Sequence, residues 1–221
     1  LLSQVIAEYH DAIVDTDQEK ALRVVQDAVR GGVSPEDIVF KVVLPSMDQM
    51  MKSISESKEM SLAQHFVSAR IADMVTAEMI AKFQTAPEVK GRVVIGNSYG
   101  DMHSLGRRIV IGCLKARFIE VIDVGTNVKP ETFVEAAVAH DAAIIGISSM
   151  MVHTARGENG CLGVRKILKE RDLEGRIKLV VGGAPYRFDH DLWKKVGADA
   201  WAMDAITAGK VIEDLIEEVR K

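Results

Sequence analysis

Asp101 and His103 stand two residues apart in Gly100-Asp101-Met102-His103-Ser104-Leu105-Gly106. At that spacing a carboxylate can accept from one imidazole nitrogen and leave the other fixed as a neutral donor to a metal. Gly106 lets backbone, or a bulky ligand, come close where a side chain would clash. The segment lies between a strand-like run, Arg92 to Asn97, and a helix-like run, Leu105 to Ala116. Three later segments fall at other expected strand ends: Ile147-Ser148-Ser149-Met150-Met151-Val152-His153-Thr154, Val181-Gly182-Gly183-Ala184-Pro185 and Ala202-Met203-Asp204-Ala205. In that order they bring hydroxyls, bare backbone and small apolar contacts, the lining that a deep pocket for a long, partly polar tail needs.

The elements that must position these residues have two grammars. Of 17 glycines, only Gly31 and Gly32 precede residue 91, and glycine is excluded from helices but required in tight βα turns. The first half, residues 1–88, reads as a bundle of four or five helices. Val5, Ile6, Tyr9 and Ile13 recur at helical spacing, and Ala21, Val24, Val25, Ala28 and Val29 follow on one face. Thr16-x-x-Glu19 reads as a capping box, Gly31-Gly32 as a helix stop, and Ser34-Pro35-Glu36-Asp37 as a cap with proline at the first helical position. Pro45 is expected to break or kink the next stretch. Ser61-x-x-Gln64 caps a long helix to about Gln84, striped by Val67, Ile71, Met74, Val75 and Met79. Six of the ten methionines fall between Met47 and Met79, which suits core packing or a soft surface against a flat ligand. His65 lies on that helix, and Pro87 marks a linker and expected hinge.

Residues 89–221 alternate strand and helix. Apolar runs at 92–97, 118–124, 143–148, 177–182 and 199–203 are separated by helical runs at 105–116, 130–140, 160–171, 189–196 and 206–220. Five such units imply an α/β fold with a five-stranded parallel sheet and helices on both faces. Ligands of such sheets sit at the carboxyl ends of the strands, where the His103 loop begins.

Bulk properties bound the function. A net charge of −4 and a sequence pI near 5.9 favour neither nucleic acid nor an anionic membrane. No apolar run approaches the roughly 20 residues of a spanning helix. Cys113 and Cys161 are too few for a disulfide framework, and no signal peptide is visible, so a cytoplasmic location is expected. Gly96, Gly100 and Gly106 do not make the spacing of a dinucleotide-binding loop.

The D-x-H-x-x-G segment of Asp101, His103 and Gly106, followed by Ser148-x-Met150 and Gly182-Gly183, resembles the pattern of cobalamin-binding domains in order and spacing. The preceding helices are similar to the helical cap of methionine synthase and of the corrinoid methyl carriers of methanogens and acetogens. Asp123-Val124-Gly125 and Asn127-Val128-x-Pro130-Glu131 look like the segment those proteins carry after the second strand. Met150 stands where that pattern has leucine.

The resemblance implies a Rossmann-like (flavodoxin-like) domain that binds cobalamin with its lower base displaced and buried in the sheet. It implies His103 as the axial ligand of cobalt, Asp101 as its hydrogen-bond partner, and Thr154 as the hydroxyl completing that relay. Gly100, Met102, Ser104, Leu105 and Gly106 would complete the ligand loop. Ser148, Met150 and Val152 would line the base and ribose, Gly182, Gly183 and Ala184 would let the nucleotide tail pass, and Met203, Asp204 and Ala205 would close its far side. The implied function is a corrinoid methyl carrier, inactive alone, cycling between Co(I) and methylated Co(III). Its implied partners are a donor-specific methyltransferase, a second methyltransferase using tetrahydrofolate or a thiol, and a reductive activator. Methanol, methylamines and aryl methyl ethers all fit as donors. A mutase subunit using adenosylcobalamin and a cobalamin-based sensor are the alternatives; the cap argues against the first and the lack of a basic recognition helix against the second.

Overall fold

The computed structural model describes residues 2–47, 49–50, 61–83 and 88–220, without the side chains of residues 62, 65 and 206. The expected hinge at Pro87, the side chain of His65 and part of the Met-rich stretch lie outside the described residues. The chain divides into two compact units, Leu1–Glu88 with Lys115–Arg117, and Val89–Leu114 with Phe118–Lys221.

The first unit is helical. Helices α1 (Leu2–Val14) and α2 (Gln18–Arg30) bury Val5, Tyr9, Ala12 and Ile13 from one and Ala21, Val25 and Ala28 from the other. The capping box expected at Thr16 is absent. Thr16 sits at a φ of 58°, which a cap residue does not adopt, and Asp17 caps α2 instead by accepting from the Lys20 N–H. Ser34 caps a single turn, Pro35–Asp37, as expected. Beyond it the backbone widens into a π-helical stretch, Ile38–Val43, in which the Leu44 N–H reaches back to the Val39 carbonyl. Helical geometry then passes through Pro45, just after the hydrogen-bond ladder has slipped by one residue. Helix α3 (Leu62–Ile80) begins with a full capping box: Ser61 Oγ accepts from the Gln64 N–H, and the Gln64 side chain accepts from the Ser61 N–H. The buried Ser68 hydroxyl donates to the Ile13 carbonyl at 2.6 Å.

The second unit carries strands β1 (Gly91–Ser98), β2 (Ile119–Val128), β3 (Ile144–Ser148), β4 (Lys178–Gly182) and β5 (Ala200–Ala202). They pair in the order β2-β1-β3-β4-β5, all parallel. Alternate residues face opposite sides. Val94, Ile145, Leu179 and Val181 pack with Phe133, Val134 and Ala137 of α5 (Pro130–Ala139) and Val164 and Leu168 of α7 (Cys161–Glu170). Val93, Ile144 and Val180 pack with Leu114 of α4 (Ser104–Ala116) and Ile212 and Ile216 of α10 (Ala205–Val219). Helices thus cover both faces.

Three local differences from the sequence reading bear on the site. Strand β2 runs four residues past its expected end, because two register shifts let it bulge and then rejoin β1 at Ser98 and Val128. A short helix α6 (Val152–Arg156) occupies what reads as a loop. The expected helix 189–196 shortens to α9 (Leu192–Lys195), and a further short helix, α8 (Ala184–Phe188), precedes it.

Candidate corrinoid site at the strand ends

Strand order reverses at β1, with β2 on one side and β3 on the other. Loops leaving β1 and β3 therefore diverge at the switch point, where open parallel sheets bind ligands. The first loop carries Asp101 and His103, and the second leads to Met150 and Thr154.

Asp101 is fully buried, and four donors converge on its carboxylate. Oδ1 accepts from the His103 backbone N–H at 2.9 Å and lies 3.0 Å from His103 Nδ1. Oδ2 accepts from the Met150 N–H at 2.5 Å and from the Thr154 hydroxyl at 3.1 Å. Burial alone would raise this carboxyl; the bonds from Met150, His103 and Thr154 outweigh it and hold the group below its ordinary value. The Thr154 hydroxyl shares its proton with the Met151 carbonyl, 2.8 Å away. The His103 side chain is about half exposed, at 53%. With Nδ1 against the carboxylate, Nε2 is the nitrogen left for a metal.

The loop is held from below. Asn97, buried at the end of β1, donates its amide to the His103 carbonyl at 3.2 Å. On the β2 side, the Asn127 N–H donates to the Asp101 carbonyl at 2.9 Å, and its Oδ1 accepts from the Gly100 N–H at 2.8 Å. The buried hydroxyls of Ser98 and Ser149 bond each other across β1 and β3. Asn97, Ser98 and Ser149 were not singled out from the sequence. In the sequence Asn127 stands out only as part of its segment; the signal for it is an asparagine two residues after Gly125, in a stretch with turn residues, where left-handed backbone is common.

The remaining expected residues fall around this center. Ser148 ends β3, and its carbonyl accepts from Ser98 Oγ. Gly182 ends β4, and its carbonyl accepts from the Ser149 N–H at 3.0 Å. Gly183 has a φ of 116°, and Ala184 opens α8. Ser104 and Ala205 open α4 and α10, and Asp204 caps the latter by accepting from the Thr207 N–H at 2.8 Å. Met102, Leu105, Met150, Val152 and Met203 leave their side chains exposed, an apolar group on the strand-end loops. His153 is exposed on α6. A concavity of about 380 Å³ lies at the opposite end of the sheet, among Arg92, Asp141, Arg176 and Arg220. It shares no residue with the histidine loop.

The residues present suit a metal that arrives inside its own ring. Among the described residues no group of three or more His, Cys, Asp or Glu comes together to hold a bare ion, whereas a corrin brings its own ring nitrogens and asks the protein for one nitrogen at most. A Cβ added to Gly106 would meet nothing within 4 Å; that bare helical position costs about 1 kcal/mol against alanine and leaves room for a large planar group. Asn97 Oδ1 is buried without a partner, an acceptor suited to amide groups such as those on the rim of a corrin.

Comparison with known proteins agrees. A family described as "B12 binding domain" matches residues 91–208, and a second of the same description matches residues 5–78. The chain is 33% identical over 215 residues to dimethylamine corrinoid protein 3 of Methanosarcina acetivorans, covering 96% of this chain and 97% of that one. Its fold is similar to a cobalamin-binding protein from Desulfitobacterium hafniense DCB-2, with a TM-score of 0.78, 19% identity, and 96% and 98% of the two chains covered. It is also similar to a chain of the methanol:cobalamin methyltransferase complex MtaBC from Methanosarcina barkeri, with a TM-score of 0.74, 21% identity, and 97% and 80% covered. With the cobalamin-binding fold along both halves and a 33%-identical corrinoid protein matching nearly end to end, the chain belongs to the B12-binding corrinoid proteins, and its cofactor is a corrinoid of the cobalamin type.

Proposed function

We propose that this protein is a methyl carrier that holds its corrinoid base-off, with His103 as the axial ligand of cobalt. When bound, the corrinoid supplies a metal able to take up and give up a methyl group. The observation that carries the reading is the Asp101 carboxylate, which engages His103 Nδ1 and thereby presents Nε2. A carboxylate on that nitrogen fixes the ring's tautomer and orientation for ligation through Nε2. Thr154 Oγ1 donates to Asp101 Oδ2, so it would relay a proton from solvent to the Asp–His pair on release of the imidazole, taking up one proton as it passes on another. Ser148, Met150 and Val152 line the displaced base, Gly182, Gly183 and Ala184 pass the nucleotide tail, and Met203, Asp204 and Ala205 close it.

Methyl transfer needs two partners: one methyltransferase that loads the carrier from a methylated substrate and one that unloads it onto a folate or thiol, with a reductive activator alongside. The dimethylamine corrinoid protein among the relatives supports a methylamine as the donor, and the MtaBC chain supports docking on a donor-specific enzyme. Residues 1–88 act as a cap that shields the methyl group, a role supported by the family match over residues 5–78. A cytoplasmic location suits these partners; among the described residues no helix is long and apolar enough to cross a membrane.

Electron paramagnetic resonance of the Co(II)-loaded protein tests the ligand. One nitrogen coupling should be seen, and it should change when the protein's histidines carry nitrogen-15 and not when the cofactor's base does. Coupling that follows the cofactor's base would overturn the reading.

A further inference from the structure

The histidine loop has a further anchor besides the Asp101 carboxylate and Asn97, and it comes from the irregular end of β2. After the register shifts at Ile95–Gly96 and Gly96–Ser98, the chain reaches Asn127 with a φ of 55°. Asparagine is among the few side chains that tolerate this left-handed backbone. The conformation turns both the backbone N–H and the side-chain carbonyl of Asn127 toward the loop after β1. The N–H takes the Asp101 carbonyl at 2.9 Å, and Oδ1 takes the Gly100 N–H at 2.8 Å. Two consecutive residues are thus clipped by a single one, with one bond on each side of the Gly100–Asp101 peptide.

This peptide carries the carboxylate that orients His103. Gly100 itself has a φ of 80°, a position with little intrinsic stiffness. Unclipped, the Gly100–Asp101 peptide keeps only the bond from its own N–H to the Ser98 carbonyl at 3.0 Å, and the carboxylate is held less firmly within simultaneous reach of Met150, Thr154 and His103. We infer that Asn127 is a positioning residue for cobalt ligation: its side chain sets how far the His-ligated state is favoured over the His-released state. The inference rests on the assignment of His103 as the axial ligand.

The test compares Asn127→Gly with Asn127→Asp in the full chain reconstituted with cobalamin. Glycine accepts the left-handed backbone and removes only the Oδ1 acceptor; aspartate keeps an acceptor of the same reach. The readout is the ratio of nitrogen-coupled to uncoupled Co(II) signal at fixed pH, beside the thermal stability of the apo-protein. Losing one hydrogen bond should lower that ratio roughly two- to tenfold in Asn127→Gly, and Asn127→Asp should restore it. Should the apo form of Asn127→Gly not fold, the variant is loaded with cobalamin during expression and the same ratio is read on the holo-protein. A ratio equal to wild type in the glycine variant overturns the inference, as does a fall that aspartate does not rescue. A wild-type protein without protein-nitrogen coupling would instead refute the assignment of His103, and His103→Ala, run alongside, separates the two failures.

Discussion

A Cβ on Gly183 would lie 2.0 Å from the carbonyl oxygen of Ser149. The start of the loop after β4 is therefore pressed against the loop after β3, in a left-handed conformation with a φ of 116°. Its neighbour is different: a Cβ on Gly182 would meet only the Ala202 carbonyl, at an ordinary 3.5 Å. Of the two adjacent glycines, only Gly183 is thus demanded by the polypeptide itself.

Gly183→Ala should destabilise the apo-protein by about 2 kcal/mol or more, through clash and backbone strain together. Gly182→Ala should leave apo stability within about 0.5 kcal/mol and weaken retention of the corrinoid. Urea denaturation and cobalamin retention on gel filtration separate them. Full retention in Gly182→Ala would move the tail path elsewhere.

Gly106→Ala should have effects of opposite sign on the two states. With open space around the missing Cβ, alanine should stabilise the apo-protein by about 0.5–1 kcal/mol through helix propensity. The same methyl should lower affinity for the cofactor. Thermal unfolding and a spectrophotometric cobalamin titration would show it; a variant that gains stability without losing affinity would mean that Gly106 does not face the corrin.

Acid sensitivity should pass through Asp101. Its carboxyl is held below the ordinary value because hydrogen bonds from Met150, His103 and Thr154 outweigh burial. The unfolded chain therefore binds the proton first as pH falls, and the native state loses this contribution between the ordinary carboxylate range near 4 and the lower native value. Above that range the contribution is fully present. Asp101→Asn should lower stability at pH 7 and flatten the acid limb of the stability–pH curve by one group. An acid limb as steep as wild type would place the sensitivity in another carboxylate.

Arg165 should hold the β5 edge of the sheet. Its guanidinium, 12% exposed, donates to the Gly197 carbonyl at 2.6 Å, to Asp199 at 2.6 Å and to Glu174 at 3.1 Å. Asp199 in turn accepts from the Leu179 N–H at 2.6 Å. Arg165→Ala should cost about 3 kcal/mol by stranding a half-buried carboxylate, and Arg165→Lys should recover only part of it, because an ammonium cannot reproduce the fork. Nearby Cys161, pushed up to about 12 by burial, should resist thiol reagents at pH 8 in wild type and react in the alanine variant. Equal reactivity in both would show that the edge stays closed without Arg165.

The features legible in the chain alone are local. Ser61 and Gln64 announce their capping box because both partners lie within one turn. Asp101 and His103 announce their contact because a two-residue spacing keeps them together, and the five apolar runs announce a sheet because burial on both faces admits little else. Features that depend on distant chain follow from packing. Thr16 lost its cap to Asp17 because the backbone between α1 and α2 turns left-handed there. The Met150 N–H and the Thr154 hydroxyl reach Asp101 across 49 and 53 residues, a meeting made by the pairing of β1 with β3. Asn127 reaches Gly100 because β2 bulges before rejoining β1, and no spacing in the sequence marks how much chain a bulge absorbs. Side-chain chemistry and short spacings are written in the chain, whereas register, and with it the set of donors around one buried carboxylate, comes from packing the whole sheet at once.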